Sequence, residues 1–187
     1  MLSQAIGAQH SARFLSTLLH PFVLIPVTIL IRTRDWRISG LIAATTVLPL
    51  LAIAAIRVRR GTWSNFDVSD RSQRSGLYRI GLPLTLIAGF VLARTGASSE
   101  VVRGTWIVAA MLLSGLMLGA FLKTSLHMMF AAYCAVLIVE QYPLSAPVLG
   151  ALLLALGWSR RVLDRHALSE VIAGTGIGLI GGVISVM

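Results

Sequence analysis

The stretch HALSEVIAGTGIGLIGG, residues 166–182, decides how this chain folds. Its polar and glycine residues recur at intervals of four: His166, Glu170, Gly174, Gly178 and Gly182. On a helix this spacing forms one stripe, with Glu170 one turn from His166. Glycines spaced in this way allow helices to approach closely in a membrane. The stripe therefore predicts a helix whose polar and glycine face points into a helical bundle and not toward lipid.

The composition indicates a membrane protein. Apolar residues make up 56% of the 187 residues and charged residues 12%, whereas a soluble domain is about a quarter charged. The net charge is +9, but the basic residues stand between apolar runs, so we interpret them as membrane anchors and phosphate ligands and expect no nucleic-acid partner. A single cysteine, Cys134, excludes a disulfide framework. The N-terminus lacks the layout of a cleaved signal, so we expect it in the mature protein.

Apolar runs close to the length of a spanning helix, about 20 residues, recur along the chain. We predict spans at residues 14–31, 38–56, 78–94, 104–122, 125–141, 147–158 and 167–187. Seven is the preferred count and six the alternative, because the sixth run is short and is either extended through Ser159–Leu163 or partly buried in protein. His20–Pro21 and Pro26 predict a kink in the first span, with lining of a pocket as the alternative. The predicted fold class is all-α, a polytopic membrane helical bundle of six to seven transmembrane helices, with residues 1–187 as a single domain.

Three polar segments interrupt these runs: Arg57–Arg79, the break at Lys123, and Ser159–His166. Two predicted helices separate each segment from the next, so all of them fall on one membrane face. Most of the Lys and Arg residues lie on that face. The positive-inside rule therefore predicts that it is cytoplasmic, in an integral protein of the inner or plasma membrane.

Two of these segments carry paired polar residues suited to chemistry. At the last one, Glu170 would fix the tautomer of His166 and stabilise its imidazolium; the alternative is a structural ion pair at a helix end. In KTSLHMMF, residues 123–130, Ser125 and the first N–H groups of the next helix can receive an anion, and His127 can protonate a leaving oxygen. The alternative there is an interfacial lysine, a capping serine and a headgroup-level histidine.

The segment NFDVSDRSQRSG, residues 65–76, allows two functional interpretations and a structural one. Arg71 and Arg74, on one helical face, would bind phosphate. In the second functional interpretation, Asp67 and Asp70 would bind Mg²⁺ on a diphosphate. The structural alternative is a solvated loop with internal ion pairs.

In this order and on one predicted face, the segments resemble the motifs of the type 2 phosphatidic acid phosphatase (PAP2) superfamily. The family's third motif is SRxxxxxHxxxD, and Ser159, Arg160, His166 and Glu170 reproduce its spacing with Glu in place of Asp. Its second motif is PSGH, and TSLH at residues 124–127 keeps the serine and the histidine.

The family's first motif is KxxxxxxRP, and from it only Arg74 carries over. Asp67 stands at the lysine position and Ser75 at the proline position. The resemblance extends from about Asp67 to Gly182, and the altered motifs resemble a divergent small subgroup.

The resemblance implies a PAP2-like core and a metal-independent phosphatase that needs no cofactor. His166 would attack phosphorus and become a phosphohistidine, with Glu170 orienting it. His127 would protonate the leaving oxygen and later assist the water that releases phosphate. The residues implied to hold the phosphoryl oxygens are Arg74, Ser125 and Arg160, with Lys123 or Arg71 supplying the charge of the missing lysine.

The expected substrate is a lipid phosphate in the bilayer. An isoprenoid-linked phosphate or diphosphate (a polyprenyl phosphate) is favoured, with phosphatidic acid and phosphatidylglycerol phosphate as alternatives. Two other functions stay open: a Mg²⁺-dependent prenyl-transferring enzyme using Asp67 and Asp70, and a non-catalytic membrane protein that binds lipid phosphates. The sequence indicates no particular oligomeric state.

Overall fold

The computed structural model describes residues 2–64, 68 and 70–187, and of these the side chains of residues 2–6, 71 and 72 are not described. The described chain is helical, which confirms the all-α class. Its α-helices are α1 (Leu2–Leu18), α2 (Pro21–Thr33), α3 (Trp36–Ile42), α4 (Leu48–Arg59), α5 (Arg71–Arg94), α6 (Ser99–Leu118), α7 (Leu126–Gln141), α8 (Ala146–Val162) and α9 (Leu168–Val186). A π-helical turn (Ala43–Val47) joins α3 to α4, and a 3₁₀ turn (Pro143–Ser145) precedes α8.

Four helical segments in the described chain are long and apolar enough to cross a membrane: Trp36–Arg59, Gln73–Arg94, Ser99–Leu118 and Leu168–Val186. A fifth is added if α1 and α2, bent by 48° at their junction, form one broken span. α7 has 16 residues and α8 has 17, so each is about 25 Å long, short of a hydrocarbon core of roughly 30 Å. The structure thus supports four to five spans, where the sequence predicted six or seven.

Prolines account for both interruptions of the first spans. The chain leaves the helix at Leu19–His20, and Pro21, which has no N–H, starts α2, so the predicted kink is confirmed. In the second span, Pro49 cannot donate to the carbonyl four residues before it. The π turn lies just ahead of this proline, and the Thr46 hydroxyl donates to the Ile42 carbonyl at 2.6 Å. Sequence reasoning missed this π turn.

Two helices have ends that place predicted site residues. α5 begins at Arg71 instead of residue 78, so Arg74 lies on its first turns. α8 continues to Val162, so Ser159 and Arg160 lie in its last turn. This extension of α8 is one of the two alternatives that the sequence allowed.

Internal packing divides the chain into two compact units, which we describe separately. The first unit comprises Met1–Arg32 and Thr124–Met187, and the second comprises Thr33–Lys123. The expectation of a single domain stays a prediction.

The first unit is built around α7. This helix is apolar on all sides and buried along most of its length, as such helices are. α9 packs against it through the glycine stripe: a Cβ at Gly174 would lie 2.5 Å from the Ser125 carbonyl oxygen, and one at Gly182 would lie 2.6 Å from Val136. Gly178 meets the Met129 carbonyl in the same way. The predicted inward orientation of the stripe is therefore confirmed.

The opposite face of α9 is apolar and exposed, which suits contact with lipid. Leu168, Ile172, Ile180 and Ile184 are each more than half exposed on this face. The glycine face of α9 is thus suited to packing against another helix, and its aliphatic face is suited to contact with lipid.

The second unit contains α3 to α6 and has its own close contacts. Gly115 on α6 faces the ring of Tyr78 on α5, and Gly89 on α5 faces Trp106 on α6. Trp63, which follows α4, is buried, and its ring lies against Gly76 on α5.

Candidate active site

The first unit has a polar end where several predicted site residues meet, and we call it the site end. The N–H of Ser125, just before α7, donates to the carbonyl of Glu170 on α9 at 3.1 Å. Nη1 of Arg160, in the last turn of α8, donates to Oγ of Ser16 on α1 at 2.6 Å. The site end therefore joins the starts of α7 and α9 with the ends of α8 and α1.

The other end of the unit is tied by a different polar contact. Arg32 on α2 pairs with the Glu140 carboxylate on α7, and its Nη1 also donates to the Leu137 carbonyl at 2.9 Å. Both ends of α7 are thus fixed to neighbouring helices by polar contacts.

His166 and Glu170 form the pair that the sequence predicted. His166 Nδ1 lies 2.9 Å from Glu170 Oε2, and the imidazole is buried while the carboxylate is mostly buried. The same oxygen accepts the Ala167 N–H at 3.2 Å, which anchors the carboxylate at the start of α9. An Nδ1–H that donates to this carboxylate leaves Nε2 as the basic nitrogen of the neutral ring.

The turn between Arg160 and His166 is closed by its own hydrogen bonds. The Arg165 N–H donates to the Arg160 carbonyl at 3.0 Å, and Arg161 Nη1 donates to the His166 carbonyl at 2.9 Å. Asp164 adopts a positive φ of 52°, which lets the chain reverse. The five-residue spacing between Arg160 and His166 thus corresponds to a compact turn, and Arg161 holds it closed.

Ser125 and His127 lie at the start of α7, where the first N–H groups of a helix have no intrahelical partner. Ser125 is fully buried and its Oγ makes no hydrogen bond to any described residue. His127 is 4% exposed, and its ring meets that of His20 edge to face, with centroids 4.7 Å apart. This corner therefore offers a buried hydroxyl, a helix N-terminus and an imidazole.

Arg160 brings a full positive charge into this buried region. Its side chain is fully buried, as is that of Ser159, whose Oγ likewise makes no hydrogen bond to a described residue. Burial of a guanidinium is costly unless acceptors surround it. The Arg160 guanidinium and the N-terminal end of α7 together make the site end favourable for an anion.

The predicted site residues are divided between the two units. Five belong to the first unit and to its site end: Ser125, His127, Arg160, His166 and Glu170. Arg74 and Lys123 belong to the second unit, where Arg74 is buried and its Nε donates to the Val68 carbonyl at 3.1 Å. Their predicted contacts to phosphate stay predictions.

Two predicted site residues have side chains outside the described part of the chain. Arg71 is the first residue of α5, but its side chain is outside the described part of the chain. Asp67 lies outside the described residues. Across the described ranges, no group of three or more His, Cys, Asp or Glu side chains is placed to hold a metal.

Sequence reasoning missed one residue of the site end and undervalued another. Ser16, 6% exposed, contacts Arg160, and nothing in the apolar surroundings of Ser16 signalled this. His20 was interpreted mainly as part of a kink, with pocket lining as the alternative. Ser16 and His20 are four residues apart in the sequence, but α1 ends at Leu18, so helical periodicity does not link their side chains.

No protein-family model, no curated protein and no solved structure matches this chain. The function is therefore argued from the site and from the motif resemblance.

Proposed function

We propose that this protein is an integral-membrane lipid phosphatase that works through a phosphohistidine at His166, with a PAP2-like core. The observation that carries the proposal is the buried His166–Glu170 pair, 2.9 Å apart, at the same end of the unit as Arg160, Ser125 and His127. A histidine held by a carboxylate through Nδ1 is an activated nucleophile, and neighbouring donors supply what a phosphoryl group needs.

The roles follow from which atoms are already engaged. Because Nδ1 of His166 faces Glu170, Nε2 would attack phosphorus. The bond from Nε2 to phosphorus forms as the bond from phosphorus to the lipid oxygen breaks, and that oxygen takes a proton from His127. Glu170 balances the positive charge that the ring gains.

The second step restores the enzyme. A water gives a proton to His127 while its oxygen attacks the phosphohistidine, so the phosphorus–nitrogen bond breaks and inorganic phosphate leaves. Through both steps Arg160 and Ser125 hold the equatorial oxygens, where the charge of the transition state resides. No metal ion is required in this scheme, since protein groups supply both the positive charge and the nucleophile.

The substrate class follows from where the site lies. The site end includes the start of α9, a helix long and apolar enough to cross a membrane, so it is expected at the level of the lipid headgroups. A phosphate delivered there would be carried by a lipid whose tail lies beside the apolar helices. We favour an isoprenoid-linked phosphate, because the described helices carry no large polar insert to bind a bulky headgroup.

The experiment measures phosphate release by detergent-purified protein from a panel of lipid phosphates in EDTA. The panel holds geranylgeranyl phosphate and diphosphate, phosphatidic acid and phosphatidylglycerol phosphate. We expect release by the wild type and a loss of at least about a thousandfold in His166→Ala. The matched control is His10→Ala, an exposed histidine on α1, which should behave as the wild type.

Two outcomes would contradict the proposal. Activity that appears only with Mg²⁺ and survives His166→Ala would favour the prenyl-transferring alternative with its Asp67–Asp70 loop. If the wild type binds inorganic phosphate but releases no phosphate from any substrate of the panel, the result would favour a non-catalytic lipid-phosphate-binding protein.

A further inference from the structure

The end of α1 contacts the site end through a residue that the motif resemblance does not include. Ser16 Oγ accepts a hydrogen bond from Arg160 Nη1 at 2.6 Å, and both side chains are buried, at 6% and 0% exposure. A short hydrogen bond from a guanidinium to a buried hydroxyl fixes the orientation of the planar fork. Ser16 and Arg160 are far apart in sequence, so this contact exists only in the folded unit.

A second contact, one turn further along, places the same segment beside another site residue. His20 lies at the α1–α2 break, and its ring meets His127 edge to face. The Phe22 N–H donates to His20 Nδ1 at 3.2 Å, which fixes the orientation of the His20 ring. Two independent contacts thus show that the segment from Ser16 to His20 is part of the site end.

We propose that Ser16 is a positioning residue that aims the Arg160 guanidinium at a bound phosphate dianion. This proposal rests on the proposed function, since it assigns Arg160 to phosphate. Arg160 has several rotatable bonds, and a guanidinium that must find its own orientation loses more freedom on binding than one already held. The hydrogen bond from Nη1 to Ser16 fixes the plane of the guanidinium before the ligand arrives, so removing the Ser16 hydroxyl should weaken phosphate binding without removing any ligand of the phosphate.

The test measures the dissociation constant of inorganic phosphate for the full chain in detergent by isothermal titration calorimetry. We expect Ser16→Ala to bind phosphate about tenfold more weakly, in line with loss of one hydrogen bond to a charged group. Ser16→Thr keeps the hydroxyl and should restore most of the affinity. The matched control is Thr17→Ala, because the neighbouring Thr17 hydroxyl is exposed and donates to the Arg13 carbonyl of its own helix.

A double-mutant comparison separates positioning from general loosening of the unit. In an Arg160→Met background, Ser16→Ala should cause no further loss of phosphate affinity, because the two residues act through one guanidinium. Geranyl phosphate titrated in parallel distinguishes a lipid-linked from a free phosphate. Its affinity advantage over inorganic phosphate should be the same in the wild type and in Ser16→Ala.

Two results would overturn the inference. One is that Ser16→Ala binds phosphate as Thr17→Ala does, and the other is that the wild type does not bind phosphate. Turnover in EDTA is measured separately from phosphate binding. If the protein shows no turnover but its phosphate affinity depends on both Ser16 and Arg160, the phosphatase proposal is wrong and the positioning role of Ser16 stands.

Discussion

The glycine stripe makes a prediction that does not depend on any catalytic function. We consider Gly174→Ala, with Gly176→Ala as its matched control on the same helix. A Cβ at Gly174 would lie 2.5 Å from the Ser125 carbonyl oxygen and 3.2 Å from the Ser125 nitrogen, whereas one at Gly176 would meet nothing within 4 Å. Both changes are chemically identical, so their difference reports the contact between α9 and α7.

The magnitude follows from these distances. Ordinary contact begins at about 3.4 Å, so α9 must move away from Ser125 by roughly 0.9 Å, since the obstructing atoms are backbone and cannot rotate aside. Overpacking of this kind costs about 1–3 kcal/mol. The gain of about 0.5–1 kcal/mol from replacing a helical glycine by alanine is common to both variants and cancels in the comparison.

The assay is thermal unfolding of both variants in the same detergent at the same scan rate. For a chain of this size, about 1 kcal/mol corresponds to roughly 2–4 °C. Gly174→Ala should therefore melt about 2–12 °C below Gly176→Ala. Equal melting temperatures would refute the close approach of α9 to Ser125, and with it the placement of the His166–Glu170 pair beside the start of α7.

Three further predictions concern the site itself. Glu170→Gln should lower kcat by about a hundred- to ten-thousandfold, because an amide N–H facing Nδ1 would hold the wrong tautomer of His166. Ser125→Ala should change stability by less than about 0.5 kcal/mol, because its Oγ makes no cap hydrogen bond, yet weaken phosphate binding about tenfold in the calorimeter. His20→Ala should slow release from alkyl lipid phosphates about tenfold and leave p-nitrophenyl phosphate nearly unchanged, because His20 contacts His127, the proposed proton donor.

Each of these has a control of the same chemistry. Glu100→Gln alters an exposed acid in the first turn of α6 and should leave kcat unchanged. His10→Ala is the matched control for His20→Ala, as it is for His166→Ala, and should behave as the wild type. If Ser125→Ala melts several degrees lower with intact phosphate binding, Ser125 is a structural cap, and if His20→Ala slows both substrates equally, His20 acts on the fold and not on the proton.

Periodicity identified the contacts that local spacing determines. The four-residue stripe identified the inward face of α9 and the His166–Glu170 pair, because one helical turn fixes both relations. Pro21 identified the kink for a similar reason, since the effect of a proline on its own helix is local.

Hydropathy alone misjudged helix starts. α5 begins at Arg71 because Arg and Gln are good helix formers even though they lie outside the apolar run. Its first turn is also held to the preceding segment, since Gln73 Oε1 accepts the Ser64 N–H at 2.9 Å. The span count was too high because α7 is apolar but has 16 residues, and its apolar character reflects burial in protein. A hydropathy profile does not distinguish protein from lipid as the surroundings of a short helix.

Long-range contacts were beyond the sequence. Ser16 meets Arg160 from the other end of the chain, and no pattern in a single sequence pairs them. Ser125, Arg160 and His166 belong to one unit, and the motif spacing offered no signal for the helix α1 that contacts Arg160 there.

The packing of α9 on α7 and the arrangement of the site depend on the same register. The Ser125 carbonyl lies against Gly174, and the Ser125 N–H donates to the Glu170 carbonyl. A single residue therefore fixes both the spacing and the alignment of α7 and α9. Glu170 in turn binds His166, so sliding α9 by one turn would move the imidazole about 5.4 Å from its place beside the start of α7. Shifts near 1 Å are enough to lower catalysis about a hundredfold when reacting groups must be aligned. The glycines are therefore expected to matter for turnover as well as for stability, and Gly174→Ala should reduce activity more than its loss of stability alone accounts for.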